Sequence, residues 1–125
     1  MLNLIYVGAG GFFGSIGRYL LAGAVYRIFP NLNFPIGTTV VNILGCFLIG
    51  FITGLVEMRN LLNPELRVFI LIGLLGGFTT FSAFSYENVL LMQDSKAGVA
   101  LLNIGVQVMA GFLAAWAGLQ LAKVF

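Results

Sequence analysis

Apolar residues run along this chain in four long blocks, separated by three short polar stretches. A helix that crosses a bilayer needs about 20 mainly apolar residues. Four segments reach that length, at about Leu2–Ile28, Ile36–Val56, Val68–Met92 and Ala97–Ala122. The breaks agree with this division. Residues 29–35 form a loop bounded by Pro30 and Pro35, and each proline disfavours helix at the residue before it. Glu57 to Arg67 holds charges, Asn60, Asn63 and Pro64. Asn63 is placed to cap the third helix, with Pro64 at its first position and Glu65 in its first turn. Gln93-Asp94-Ser95-Lys96 reads as a tight polar turn. The expected fold is an all-α membrane protein in which residues 1–125 make one four-helix transmembrane domain, with no internal repeat.

Composition strengthens that reading. The 125 residues are 60% hydrophobic and 8% charged, with a mean hydropathy of +1.05. Soluble domains carry about 25% charged residues. A chain this small, folded in water, would leave too much apolar surface wet. Six basic residues against four acidic ones give a net charge of +2. That is too sparse for a nucleic-acid footprint, and no basic cluster marks a specific lipid headgroup. There is no His and one cysteine, Cys46, so neither a disulfide framework nor a His/Cys metal site can be built from the chain. Cys46 reads as a small buried residue. The first block lacks the basic flank of a signal peptide, its first basic residue being Arg18, and so reads as retained.

Charge also bears on orientation, because Lys and Arg prefer the cytoplasmic side. Four spans would place Arg59, Arg67 and Lys123 on one side and Arg27 and Lys96 on the other. Three against two is almost no bias. A chain so balanced is expected to insert both ways and to pair as an antiparallel dimer, unless something outside these counts sets one orientation. Glycine, at 17 residues, recurs at four-residue spacing as Gly10/Gly14, Gly50/Gly54 and Gly73/Gly77, and Ala110, Ala114 and Gly118 continue the theme. Small residues so spaced let membrane helices approach closely. The expectation is a tight bundle with little room for a wide aqueous pore.

The most unusual segment is Gly76-Gly77-Phe78-Thr79-Thr80-Phe81-Ser82-Ala83-Phe84-Ser85, in the middle of the third block. Paired glycines beside β-branched threonines weaken a helix. One reading is a break near the membrane midplane, where freed carbonyls hold an ion. The other is a kinked helix whose hydroxyls bond back to the preceding turn. Phe81 and Phe84 share a helix face and serve either as core or, through the positive edges of their rings, as the lining of an anion path. Asn42, in an uncharged span, either bonds another helix or donates to an anion. Asn103 and Gln107, four residues apart, extend a polar stripe. Arg18 snorkels to an interface or draws anions into a vestibule, and Glu87 reads as interfacial. Enzyme chemistry finds no footing: there is no His, no nucleophile beside a base and no phosphate loop. Gly8-Ala9-Gly10-Gly11 lies in a span with no strand before it.

The run Gly76 to Glu87 closely resembles the third-helix signature of the Fluc, or CrcB, fluoride channels, and Gly37-Thr38-Thr39-Val40-Val41-Asn42 resembles their second-helix motif. The Gly-rich first helix with Arg18 fits as well. The resemblance covers essentially the whole chain. It implies a dual-topology antiparallel homodimer in the cell (inner or plasma) membrane, with two narrow pores that export fluoride passively and give fluoride resistance. Phe81 and Phe84 would coordinate fluoride with ring edges, Asn42 would donate to it, and Thr80, Ser82, Asn103 and Gln107 would line the path. Arg18 would sit at the vestibule. A structural sodium ion at the dimer centre would be held by the carbonyls of Gly76 and Thr79. Two departures matter. Ala83 replaces the usual Thr, and on the fourth helix the places of a customary Ser and Thr are taken by Gly111 and Ala115. A heterodimer subunit therefore stays open beside the homodimer. A proton-coupled small multidrug exporter is disfavoured, because its mechanism needs an acid in the first span and none is present.

Overall fold

A computed structural model describes residues 1–125, all helical apart from short connections. We number the helices α1 (Leu2–Ile28), α2 (Ile36–Arg59), α3 (residues 64–78), α4 (Phe81–Gln93) and α5 (Ala97–Ala122). Counting α3 and α4 as one segment, Pro64–Gln93, four helical units are long and apolar enough to span a membrane. Their boundaries follow the sequence closely, with one difference. Helix α2 runs three residues past Val56, because Asn60 adopts a left-handed conformation (φ 49°) and returns its N–H to the Val56 carbonyl. Helix α3 starts at Pro64 under the expected Asn63 cap, whose Oδ1 accepts from Leu66 N at 2.8 Å.

Two irregularities shape the third segment. From Val68 to Leu74 the backbone winds as a π-helix, and Leu75 N–H bonds the Ile70 carbonyl, five residues back. After Phe78 the helix stops. Thr79 (φ −82°, ψ 155°) and Thr80 (φ −150°, ψ 117°) are extended, and α4 starts at Phe81. Thr79 retains one helical bond, N–H to the Leu75 carbonyl at 3.0 Å, and its hydroxyl bonds the same carbonyl. Thr80 caps α4, its Oγ1 accepting from Ala83 N at 3.2 Å. Both kinds of irregularity cluster at functional positions in membrane and soluble helices alike.

Helix α2 packs along α5, α1 packs on α3 and α2, and α4 lies against α5. Small residues make these approaches possible. A methyl group at Gly10 would stand 2.7 Å from Leu74 N, and one at Gly14 would run into the Leu74 carbonyl. On the other seam Gly118 faces the Phe47 carbonyl and Gly50 the Ala115 carbonyl, in both cases without space for a side chain. Backbones at this distance gain dispersion contacts that lipid cannot match. Only 20 of 125 residues are buried, while Phe12, Phe13, Leu101, Phe112 and Trp116 lie more than half exposed. A fold in water could not carry that apolar surface, but hydrocarbon accepts it.

Candidate functional site

The interruption between α3 and α4 opens one side of a cavity of about 390 Å³. Helix α2 contributes Asn42, Gly45, Cys46 and Ile49; α3 contributes Leu71, Leu75 and Gly76. The extended Thr79 and Thr80, then Phe81 and Phe84 of α4, close another wall, and α5 adds Gln107 and Val108. No lining residue is charged. The ring centroids of Phe81 and Phe84 are 5.6 Å apart, at 39° to one another. Phe81 is 78% exposed, so this ring projects from the chain rather than filling its core.

Asn42 holds the extended backbone. Its Oδ1 accepts from Thr80 N at 2.9 Å and its Nδ2 donates to the Thr80 carbonyl at 3.1 Å. A helix would have given Thr80 N–H to the Gly76 carbonyl; Asn42 takes that role, and the break is thereby satisfied instead of strained. The second Nδ2 hydrogen goes to Gln107 Oε1 at 2.8 Å. Gln107 Nε2 in turn donates to Asn103 Oδ1 at 2.9 Å and to Thr39 Oγ1 at 3.2 Å. Asn103 Nδ2 donates to Asn88 Oδ1 at 3.0 Å, and Asn88 Nδ2 to the Phe84 carbonyl at 2.8 Å.

The other sequence-derived residues fall in four places. Gly76 and Thr79 lie at the break, on the cavity wall, with open space over Gly76. Ser82 is exposed, its hydroxyl 3.1 Å from that of Thr80. Asn103 is fully buried behind Gln107 and does not reach the cavity, so only Gln107 presents a polar group of α5 to it. Arg18 lines a separate cavity of about 440 Å³ with Tyr19, Tyr26 and Arg27. One expectation needs correcting. Cys46 is half-buried rather than buried, because it faces the cavity and its opposite neighbour, Gly111, has no side chain. The Glu87 carboxylate turns toward α2: its Oε1 accepts from Thr38 Oγ1 at 2.6 Å, and its buried Oε2 has no hydrogen-bond partner.

Sequence reasoning missed Gly45 and Asn88. Gly45 has no side chain because the methyl of Thr79 occupies that space. Asn88 carries a weak signal, an amide inside a span four residues after Phe84. As for the hydroxyls missing from α5, Gly111 and Ala115 pack against Cys46 and Gly50 of α2, not along the cavity wall.

The profile of the family described as CrcB-like protein, Camphor Resistance (CrcB), matches residues 5–119. The chain belongs to the CrcB family. Among CrcB relatives, a protein of Chlorobaculum tepidum is 46% identical over 125 residues, covering 100% of this chain and 98% of its own. One from Campylobacter fetus subsp. fetus is 45% identical (98% of this chain, 94% of its own), and one from Flavobacterium psychrophilum 42% (98% of each). All three carry the name fluoride-specific ion channel FluC, the name of a transport protein and not of an enzyme. With four spanning helices and this membership, the CrcB chain is a multi-pass membrane protein.

Proposed function

We propose that this chain is a fluoride channel, working as an antiparallel homodimer in the cell membrane and exporting fluoride passively from the cytoplasm through two narrow pores. The observation that carries the reading is the uncharged cavity at the helix break, walled by Phe81, Phe84, Asn42, Thr80 and Gln107. Fluoride is small and strongly hydrated, so a path for it must replace water with donors yet release the ion quickly. A fixed cation would hold it too long. Ring edges carry partial positive charge without a formal one, and amides and hydroxyls donate without titrating. The 78% exposure of Phe81 suits a ring that meets an ion or a second subunit. Relatives that are 42–46% identical and named as fluoride channels supply the ion's identity. Donation by Asn42 to the ion requires one Nδ2 hydrogen to leave the Thr80 carbonyl or Gln107, since both are engaged within the chain.

A sodium ion fits the break chemically. With Thr80 N–H given to Asn42, the Gly76 carbonyl lacks its ordinary helical donor. That carbonyl and the one of extended Thr79 are oxygen ligands of the kind a hard cation takes. Bound there, sodium would neutralise the partial charges of carbonyls brought together where two subunits meet. The expected consequence is a dimer whose melting temperature in detergent falls when sodium is replaced by N-methylglucamine.

The test is fluoride efflux from liposomes holding the purified chain alone, read with a fluoride electrode, beside Phe81→Ile and a chloride control. The expected outcome is rapid fluoride release, no chloride release, and loss of release by tenfold or more in Phe81→Ile. Well-folded wild-type protein that releases no fluoride would overturn the homomeric channel.

A further inference from the structure

Five hydrogen bonds between Thr80 and the Phe84 carbonyl run in a single direction. Thr80 N–H donates to Asn42, Asn42 to Gln107, Gln107 to Asn103, Asn103 to Asn88, and Asn88 to the Phe84 carbonyl, with lengths of 2.8–3.0 Å. The direction is forced by the ends. A backbone N–H can only donate and a backbone carbonyl can only accept. Turning over any one carboxamide would set donor against donor or acceptor against acceptor at both of its junctions. Three of the members, Asn88, Asn103 and Gln107, are buried at 5%, 0% and 8% exposure, where an unmade bond is costly. Bonds so aligned polarise one another and strengthen.

The relay grips α4 at two points. Asn42 holds Thr80, the residue before α4, and Asn103 of α5 holds Asn88, two turns in. Phe81 and Phe84 lie between the two grips, and neither Asn88 nor Asn103 lines the cavity. We infer that Asn88 and Asn103 are positioning residues, which fix the rotation of α4 and so the placement of the Phe81 and Phe84 rings, through donor–acceptor polarity and not through bulk. The inference deepens the channel reading and rests on it for the flux readout alone.

Asparagine and neutral aspartic acid have the same shape, and both can accept at one atom and donate at the other. Ionised aspartate only accepts. In Asn103→Asp the neutral acid can accept from Gln107 Nε2 and donate to Asn88 Oδ1, whereas the anion repels Asn88 Oδ1. Titratable groups near this position are few. Helix α5 has none within Ala97–Ala122, α2 offers Cys46, α1 offers Tyr26, and α4 has Glu87, next to Asn88. All are shared with the wild type, so the relay is read as the difference between variant and wild-type profiles. Buried carboxyls titrate as high as about pH 8–9, which sets the window at about pH 5.5–9.

The experiment measures fluoride efflux across that window for wild type, Asn103→Asp and Asn88→Asp, with protein-free liposomes subtracted. Hydrogen exchange of residues 80–88 is followed in parallel. The expected result is variant flux within about twofold of wild type at the acid end, falling tenfold or more relative to wild type as pH rises. Exchange at Thr80 and Asn88 should speed up over the same range. Flux and exchange that track wild type at every pH would overturn the inference. So would variants that fail to fold, or fold but stay inactive, at the acid end, where the neutral acid supplies the same bonds. If the wild-type chain itself passes no fluoride, the channel reading fails, and the exchange profile still decides the relay.

Discussion

Asn42 shows how one side chain settles a local conflict. Gly76-Gly77 and two threonines weaken the helix, but a break inside a membrane exposes backbone groups that lipid cannot satisfy. Asn42 answers with one acceptor and one donor for the N–H and C=O of a single residue, Thr80. Asn42→Leu keeps the volume and removes both of these bonds, together with the one to Gln107. It is expected to destabilise the fold by about 2–6 kcal/mol, given about 1–3 kcal/mol for each of the two Thr80 groups left unpaired. Denaturant unfolding in detergent, followed by circular dichroism, would measure it. A cost below about 0.5 kcal/mol would show that Thr80 finds other partners. Asn63→Ala tests the simpler cap at the start of α3, where loss of the bond to Leu66 N is expected to cost about 1 kcal/mol.

At the level of elements, two seams with different owners hold the bundle. Helices α1 and α3 meet through glycines, and α2 and α5 meet through Gly50, Gly118 and Ala115. The π-turns of Val68–Leu74 lie in the α1 seam, where the Phe69 and Leu74 carbonyls come against Gly10 and Gly14. Gly14→Val is therefore expected to abolish monodisperse protein on size exclusion, since the obstructing atoms are backbone and cannot rotate away. Gly23→Ala, on the same helix with nothing within 4 Å, should purify as wild type. Equal yields for the two variants would show that α1 packs elsewhere.

For the whole molecule, the balance of charge carries the main expectation. Arg59 reaches the Phe125 main-chain oxygen, which joins the ends of α2 and the C-terminus on the side that also holds Arg67 and Lys123. The opposite side holds Arg27 and Lys96. If balance permits both orientations, then two added lysines in the 93–96 turn should trap one orientation and two at the C-terminus the other. Each trapped variant alone should lose fluoride efflux, and co-expression should restore it. Full efflux from either variant alone would sink the antiparallel dimer.

The spans, their caps and the residues at the break were legible in the sequence, because each rests on local physics. Length of apolar run decides what crosses lipid, Asn-Pro-Glu starts a helix, and Gly-Gly-Phe-Thr-Thr weakens one. Small residues at four-residue spacing marked the seams for the same reason. What Asn103, Glu87 and Cys46 face was not legible, since each answer depends on a side chain far away in the chain. Asn103 looked like a neighbour of Gln107 on one stripe, and its partner Asn88 lies 15 residues back on another helix. Thr38, 49 residues from Glu87, decided that carboxylate's direction. Residue spacing along a helix settles which groups share a face. Only the packing of α2, α4 and α5 settled which of those faces meets the cavity and which is spent on holding α4 in place.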